Sequence, residues 1–548
     1  MLPLQPFCVL LLKTIGKLEL MFKNFPGYNL VAKRQDDKKQ IKAAENKTLA
    51  KAIKIIAVTL VSLIVWCLPS DALGIPDLTL TEQRTIAIFN FASLMWLTEG
   101  IPSWATSTLV IVILLYTCSD SSLNFFVKDL VDAPAGSGSF WDTIWDTIWP
   151  YKFQDKDANV LGALISHKKL MACFADPIIM LFIGGFILAI AATKVGLDVK
   201  MAKIMLTPFG TKSSNVLLGF LLVTGIFSMF LSNTATAAMM LTFLAPVLKQ
   251  LPPEGKGRIG LALAIPIGAN IGGIGTPIGT PPNAIALKAL KETLGMDIGF
   301  GQWMMFMFPL AIVLLIIGWF LLKTMFPFSQ KTVELKIEGE KETNWQSYVV
   351  YVTFIATILL WVLDKYTGVN SNVVAMLPVG VFCACGIITR KDLEEINWSV
   401  LWMVAGGFAI GLALQETKLA DHLINTIPFD TWPALIMMIG SGILCYALSN
   451  FISNTATAAL LVPILTVVGS ASRDTLAVYG GVSPLLIGIA LSASLAMVLP
   501  ISTPPNALAH ATGMIQQKQM MRVGIIMGIV GMVIGYAMLV VIGKAGLI

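Results

Sequence analysis

The 548-residue chain is 56% hydrophobic and only 13% charged, roughly half the charged fraction of a soluble domain, which excludes a water-soluble globular fold and points to a membrane protein. The formal charge of +6 does not imply nucleic-acid binding. Its basic residues fall mostly in short segments between apolar runs, where Lys and Arg retain a loop in the cytoplasm. The seven cysteines are scattered without a Cys-x-x-Cys pair, so they carry no zinc or thiol-redox motif and read as packing residues.

In chain order, residues 1–51 read as a cytoplasmic arm. The apolar run from Phe7 to Leu12 lacks a small-residue cleavage signature and is followed by a lysine-rich stretch from Lys33 to Lys54. A first helix and its loop occupy 52–82. Apolar stretches near the roughly 20 residues that a bilayer requires predict spanning segments at 52–69, 83–100, 102–118, 175–196, 258–290, 302–325, 346–364, 371–388, 399–416, 482–513 and 521–546, eleven crossings in all. Two more stretches, 213–249 and 430–468, are long enough for two short helices each. A polar peptide interrupts each near its middle, which predicts re-entrant hairpins.

With the arm inside, the segments around Lys200, Lys203 and Lys212, and those at 249–258, 331–342, 390–395 and 518–522, lie on the cytoplasmic side. Lys288, Lys291, Lys365, Lys418 and Arg473 fall on or near the other side, so the charge rule is a tendency here. Residues 119–174, polar and aromatic with a Trp-Asp-Thr-Ile tandem at 141–148, read as an extracytoplasmic insertion that caps the membrane part or covers a dimer.

Self-comparison gives the strongest signal. Gly184-Gly185-Phe186 recurs as Gly406-Gly407-Phe408. Ser232-Asn233-Thr234-Ala235-Thr236-Ala237-Ala238 recurs as Ser453-Asn454-Thr455-Ala456-Thr457-Ala458-Ala459. Thr280-Pro281-Pro282-Asn283-Ala284 recurs as Thr503-Pro504-Pro505-Asn506-Ala507. Three landmarks in the same order at nearly the same offset are a duplication. An odd number of crossings per copy turns the second upside down, so residues 83–326 and 346–548 form inverted repeats joined by a cytoplasmic linker at 327–345. Secondary transporters are commonly built this way, with the binding site at mid-membrane where the repeats meet. The expected fold is therefore an all-α polytopic membrane protein of about eleven transmembrane helices and two re-entrant hairpins.

The repeated peptides carry chemistry suited to such a site. A Ser-Asn-Thr cluster in hydrocarbon is unfavourable unless partnered, at roughly 2–7 kcal/mol for each unpaired buried amide or hydroxyl. At a hairpin tip it can give oxygens to a cation and donors to a carboxylate, while the neighbouring alanines let backbones approach closely. Thr-Pro-Pro-Asn interrupts a helix. The freed carbonyls can face a cation, and the next helix directs its N-terminal amides and partial positive charge at an anion. A polar helix–helix contact or a lone kink explains one copy of either peptide better than two. No Lys or Arg lies within the motifs. A bound di-anion would then be balanced by Na⁺ and helix ends, which makes anion binding depend on the cation and couples the two.

These peptides, with Thr98-Glu99-Gly100-Ile101-Pro102, resemble the divalent anion/sodium symporter family of dicarboxylate, citrate and sulfate carriers, from about residue 50 onward. Gly100 departs from the family's alanine, and the arm and the 119–174 insertion depart from its compact core. The resemblance implies one Na⁺ site at Ser228, Ser232, Asn233 and the carbonyl of Gly279, and another at Ser449, Asn454 and the carbonyl of Ser502. It places Asn233, Thr234, Thr280, Asn454, Thr455 and Thr503 at or near the substrate. It further implies a homodimer in an integral membrane setting, the inner membrane for a bacterial source, in which a transport domain slides past a scaffold like an elevator. The expected activity is Na⁺-coupled symport of a small divalent anion such as succinate, with sulfate or citrate symport and Na⁺-independent exchange as alternatives.

An enzyme is not expected, since Ser232 and Ser453 have no base nearby in sequence and catalysis needs no second copy. A channel is disfavoured by inverted hairpins. His167, His422 and His510, the only histidines, read as solvated, interfacial and packing residues. Glu99 reads as a structural carboxylate at a helix end.

Overall fold

A computed structural model describes residues 37–68, 73–123, 126, 161–252, 255–333 and 343–548. The expected arm over 1–36 and the Trp-Asp-Thr-Ile tandem lie outside the described residues. Met1–Lys54 and Ile55–Ile548 are separate compact units. In the first, the described residues, 37–54, are helical.

The principal helices are α1 (Asp37–Cys67), α2 (Leu80–Thr98), α3 (Ser103–Thr117), α4 (Pro177–Val195), α5 (Ser213–Phe230), α6 (Asn233–Lys249), α7 (Lys256–Gly272), α8 (Pro281–Leu294) and α9 (Phe300–Met325). They continue as α10 (Trp345–Val362), α11 (Met376–Ala384), α12 (Trp398–Glu416), α13 (Ser441–Ser449), α14 (Asn454–Ala471), α15 (Val482–Leu495), α16 (Pro504–Ala511) and α17 (Gln517–Lys544). Among the described residues nine helices are long and apolar enough to span a bilayer, and α3, α13 and α15 are shorter apolar helices.

Local chemistry sets the ends of these helices. Asp176 caps α4 by accepting from the Ile178 amide at 2.8 Å, with Pro177 at the first helical position, where its missing N–H costs nothing. Thr79 and Glu82 form a reciprocal capping box at α2. Both apolar stretches expected to be interrupted are broken at the polar peptide: α5 ends at Phe230 and α6 starts at Asn233, while α13 ends at Ser449 and α14 starts at Asn454. The stretches 258–290 and 482–513 are likewise each split into two helices, α7 and α8, and α15 and α16, by the segments preceding Thr280 and Thr503.

Burial sorts the helices into a centre and a periphery. The segment Lys256–Gly275 is 89% buried, against 33% for Trp345–Val362, and α15 is buried along its whole length. On α10 the large apolar side chains of Tyr348, Val352, Ile355 and Leu359 are exposed. That pattern suits a helix facing lipid, where apolar exposure carries no hydrophobic cost.

The helices pair crosswise between the halves of the chain. Helix α4 packs on α10 and α11, and α12 on α3. The glycines of the repeated Gly-Gly-Phe peptides make these contacts possible: a Cβ at Gly184 would overlap the Ala375 carbonyl oxygen, and one at Gly406 the Ser107 side chain. Helix α8 packs on α14 and α15, while α16 packs on α6 and α7. Each helix that opens with Thr-Pro-Pro-Asn therefore lies against the Ser-Asn-Thr helix of the other half.

Candidate ion and anion site

The first half-site forms where α5 breaks. Ser228, fully buried, places its hydroxyl 2.6 Å from Oδ1 of Asn233 and 2.8 Å from the Ala269 carbonyl oxygen. Gly273, which follows α7, leaves room for that Asn233 amide oxygen and one more. A methyl group on its α-carbon would sit 2.9 Å from Oδ1 of Asn233 and 3.0 Å from the Gly279 carbonyl oxygen. Ser228, Asn233 and Gly279 are thus brought together, and Ala269 adds an oxygen that sequence reasoning missed. Ser232 does different work: its hydroxyl caps α6 by accepting from the Ala235 amide at 3.2 Å.

The loop that presents Gly279 is tied down along its length. The Thr276 hydroxyl donates to the Met229 carbonyl and accepts from the Gly279 amide at 3.1 Å. The Asn283 amide donates to the carbonyls of Thr276 at 2.8 Å and Gly273 at 3.1 Å, and the Trp303 indole N–H donates to Ile274 at 3.0 Å. Thr280, 4% exposed, precedes α8 and makes no side-chain cap.

The second half-site repeats the cap and changes the rest. Ser453 accepts from the Ala456 amide at 3.2 Å, as Ser232 does from Ala235. The Ser449 hydroxyl and Oδ1 of Asn454 are both buried without a nitrogen or oxygen partner. A buried oxygen without such a partner suits a hard cation, which takes oxygen ligands. The Ser502 hydroxyl is held by Asn450, 3.1 Å from both its backbone and side-chain oxygens, and accepts from the Leu499 amide at 3.0 Å. Asn450, outside the repeated peptides, also accepts the Val498 amide at 2.8 Å.

The halves differ in coverage. Thr234 is exposed and Asn233 half-buried, whereas Thr455 is 6% exposed. Helix α12 packs directly on α14 and α8, and Gly407 sits so close that a Cβ would lie 2.8 Å from that of Ala459.

Charged side chains lie outside these oxygens. Lys288, two turns along α8 from Thr280, is 9% exposed. It pairs with Asp176, lies 3.5 Å from Glu292 and stands 3.7 Å from the ring centroid of Phe408. It borders a cavity of about 280 Å³ between α8, α12 and α14 that also carries Asp421 and Arg473. Among the histidines, His167 lies 2.6 Å from Asp120 and His422 lies 3.1 Å from buried Glu82. The His167 contacts hold the Asp120 carboxyl below the usual carboxylate range. Glu99 is exposed and ends α2 in the left-handed conformation, with φ 49°.

Residues 93–479 match the family model described as a citrate transporter. The chain is 30% identical over 412 residues to the sodium-dependent dicarboxylate transporter SdcS of Staphylococcus saprophyticus, spanning 68% of this chain and 78% of that protein. It is also 30% identical over 426 residues to SdcS of Staphylococcus aureus strain USA300, with 70% and 80% covered. Among solved structures, the YdaH transporter of Alcanivorax borkumensis shares the fold, with a TM-score of 0.52 at 11% identity over 81% of this chain and 99% of that one. The protein is an integral membrane transporter rather than an enzyme, and the chain belongs to the divalent anion/sodium symporter family.

Proposed function

We propose that the protein is a Na⁺-coupled symporter of a small divalent anion, a C4-dicarboxylate such as succinate, working by elevator-type alternating access. The observation that carries this reading is the pair of oxygen clusters at helix starts. Ser228, Asn233 and Gly279 converge in one half, and Ser449 and Asn454 hold buried oxygens without a nitrogen or oxygen partner in the other. No charged side chain belongs to either set. Oxygens without a counter-charge suit a monovalent cation, and the cation together with the N-termini of α6, α8, α14 and α16 suits an anion. Each ligand then improves the site for the other, which is the thermodynamic content of symport.

In this reading Ser228, Ser232, Asn233 and Gly279 serve one Na⁺ and Ser449, Asn454 and Ser502 the other. Because the Ser232 hydroxyl caps α6, its role is to hold Asn233 at the helix start. Asn233, Thr234, Thr280, Asn454, Thr455 and Thr503 face the substrate. Residues 83–326 and 346–548 act as inverted repeats with 213–249 and 430–468 as re-entrant hairpins. The hairpins and broken helices move as the transport domain of a homodimer, in the inner membrane of a bacterial host. Names of relatives as sodium-dependent dicarboxylate transporters support the substrate class.

Citrate is the second reading, favoured by the description of the matching family model. Uptake of labelled succinate into proteoliposomes, with and without an inward Na⁺ gradient and with citrate and sulfate as competitors, tests both. Succinate uptake driven by Na⁺ is expected. Uptake indifferent to Na⁺ would sink symport, and a citrate preference would replace the substrate.

A further inference from the structure

One buried side chain joins the two broken helices, and duplication did not produce it. Asn270 lies on α7, 2% exposed. The residue at the same distance before the second Thr-Pro-Pro-Asn is Ala493, so the second half has no counterpart. The Asn270 amide donates to Thr503 Oγ1 at 3.1 Å and to Asn506 Oδ1 at 3.1 Å. Its direction is set by the network. Asn506 spends its own amide on the carbonyls of Met497 at 2.8 Å and Leu499 at 2.9 Å, so it offers Asn270 only an acceptor, which only the NH₂ end of Asn270 can satisfy.

The consequence falls on Thr503. Its hydroxyl oxygen accepts from Asn270 and also from the Asn506 backbone amide at 3.4 Å. A hydroxyl has two lone pairs and one proton. With both lone pairs engaged, what remains is the O–H, a donor with no freedom to act as an acceptor. Thr280, the matching residue of the first half, makes no cap and meets no such director.

We propose that Asn270 is a positioning residue that fixes the Thr503 hydroxyl as a hydrogen-bond donor to a substrate carboxylate, so that the second half-site discriminates for an anion's oxygens. The proposal rests on the symport reading above, in which Thr503 faces substrate. It assigns the NH₂ end of Asn270 a part in anion affinity; the Oδ1 end is buried without a partner one helical turn before Gly273, and loss of the Na⁺-only stabilisation in the Asn270 variants would give that oxygen to the cation and overturn the assignment.

The test uses the purified full-length protein. Succinate binding at saturating Na⁺ is measured by calorimetry, and the thermal stabilisation by Na⁺ alone is measured in parallel. Asn270→Ala and the near-isosteric Asn270→Leu should each weaken succinate binding roughly 10-fold, the usual scale for a lost hydrogen bond to a charged group, while the Na⁺-only stabilisation is kept. Thr503→Val should lose as much, and adding Asn270→Leu to it should lose little more. Thr280→Val combined with Asn270→Leu should be additive.

A merely structural asparagine would lower thermal stability without separating succinate from Na⁺. Either folded Asn270 variant binding succinate like the wild type overturns the proposal, and so does full additivity with Thr503→Val. Where Asn270→Ala fails to fold, Asn270→Leu, which leaves no cavity, supplies the measurement. Where neither folds, additivity of Thr503→Val with Asn506→Ala would overturn the proposal instead. A wild-type protein that binds no dicarboxylate with Na⁺ present overturns the symport reading, and this proposal with it.

Discussion

The two Ser-Asn-Thr peptides have the same seven residues and the same cap geometry, with the serine hydroxyl 3.2 Å from the amide three residues on in both. They do not have the same surroundings. In the first copy Ser228 and Asn233 lie against each other at 2.6 Å and Thr234 is exposed. In the second, Ser449 and Asn454 keep buried oxygens without a nitrogen or oxygen partner and Thr455 is buried. Local sequence thus determines the helix start, and tertiary packing determines how far each half-site is open. Under the proposed alternating access, the same peptide held in unequal cover would exchange covers between the two states and so face the other side.

The largest expected effect is on transport itself. Asn233→Ala or Asn454→Ala removes an oxygen from a site for charged ligands, and Na⁺-driven succinate uptake should fall by about 10- to 100-fold in either half. Equal losses would mean that both halves serve one binding event. A loss confined to Asn454→Ala would break the comparison and leave one functional half.

Next is the Lys288–Asp176 pair, which has no counterpart in the other half, where Ala511 stands at the equivalent position. Both side chains are nearly buried, at 10% and 12% exposure. Lys288→Met alone should destabilise the purified protein by roughly 3–5 kcal/mol by removing the cation from a buried carboxylate, and the double variant with Asp176→Leu should recover part of that, less about 1 kcal/mol for the lost cap of α4. Thermal denaturation with single and double variants measures it. A single variant as stable as the double would show that Asp176 finds another partner.

A smaller effect should separate the two Gly-Gly-Phe helices. A Cβ on Gly407 would press on Ala459 at 2.8 Å, whereas one on Gly185 meets only the Ile278 methyl at 3.4 Å. Gly407→Ala should cost about 1–3 kcal/mol by overpacking and Gly185→Ala close to nothing. In protein trapped with its halves in the opposite cover, the order should reverse. The smallest effect is the one the halves should share: Ser232→Ala and Ser453→Ala each remove an N-cap, for about 1 kcal/mol apiece. Any large difference between them in melting temperature would mean that one serine does more than cap.

The breaks in the helices were legible because their causes are local. A serine three residues before an amide that needs an acceptor, and two prolines that cannot donate, act through neighbouring residues in any context. Ser228, Asn233 and Gly279 were reached through resemblance, and the structure brings them together through the close approach that Gly273 allows. Ala269 contributes a backbone carbonyl, to which side-chain identity gives no clue. Asn270, Asn450 and the Lys288–Asp176 pair were not legible for a different reason. Internal repetition was the strongest signal in the chain, and each of these residues lies outside the repeated peptides and acts across long sequence separations. Asn270 lies between Gly268 and Gly272, and it is the polar residue that ties the broken helices together. Unequal cover of the halves could not be read from identical peptides at all.

The clusters at Ser228, Asn233, Ser449 and Asn454 contain no ionised side chain, and this bears on the return stroke. A carrier that gripped its anion with a fixed arginine would, once emptied, have to drag that guanidinium through the low-dielectric interior or wait for a second anion to escort it, at a cost of several kcal/mol per ion. A binding centre made only of neutral oxygens and helix ends resets without ionic cargo. Under the proposed symport the unloaded protein therefore recycles readily, which favours net accumulation over obligatory one-for-one trading of anions.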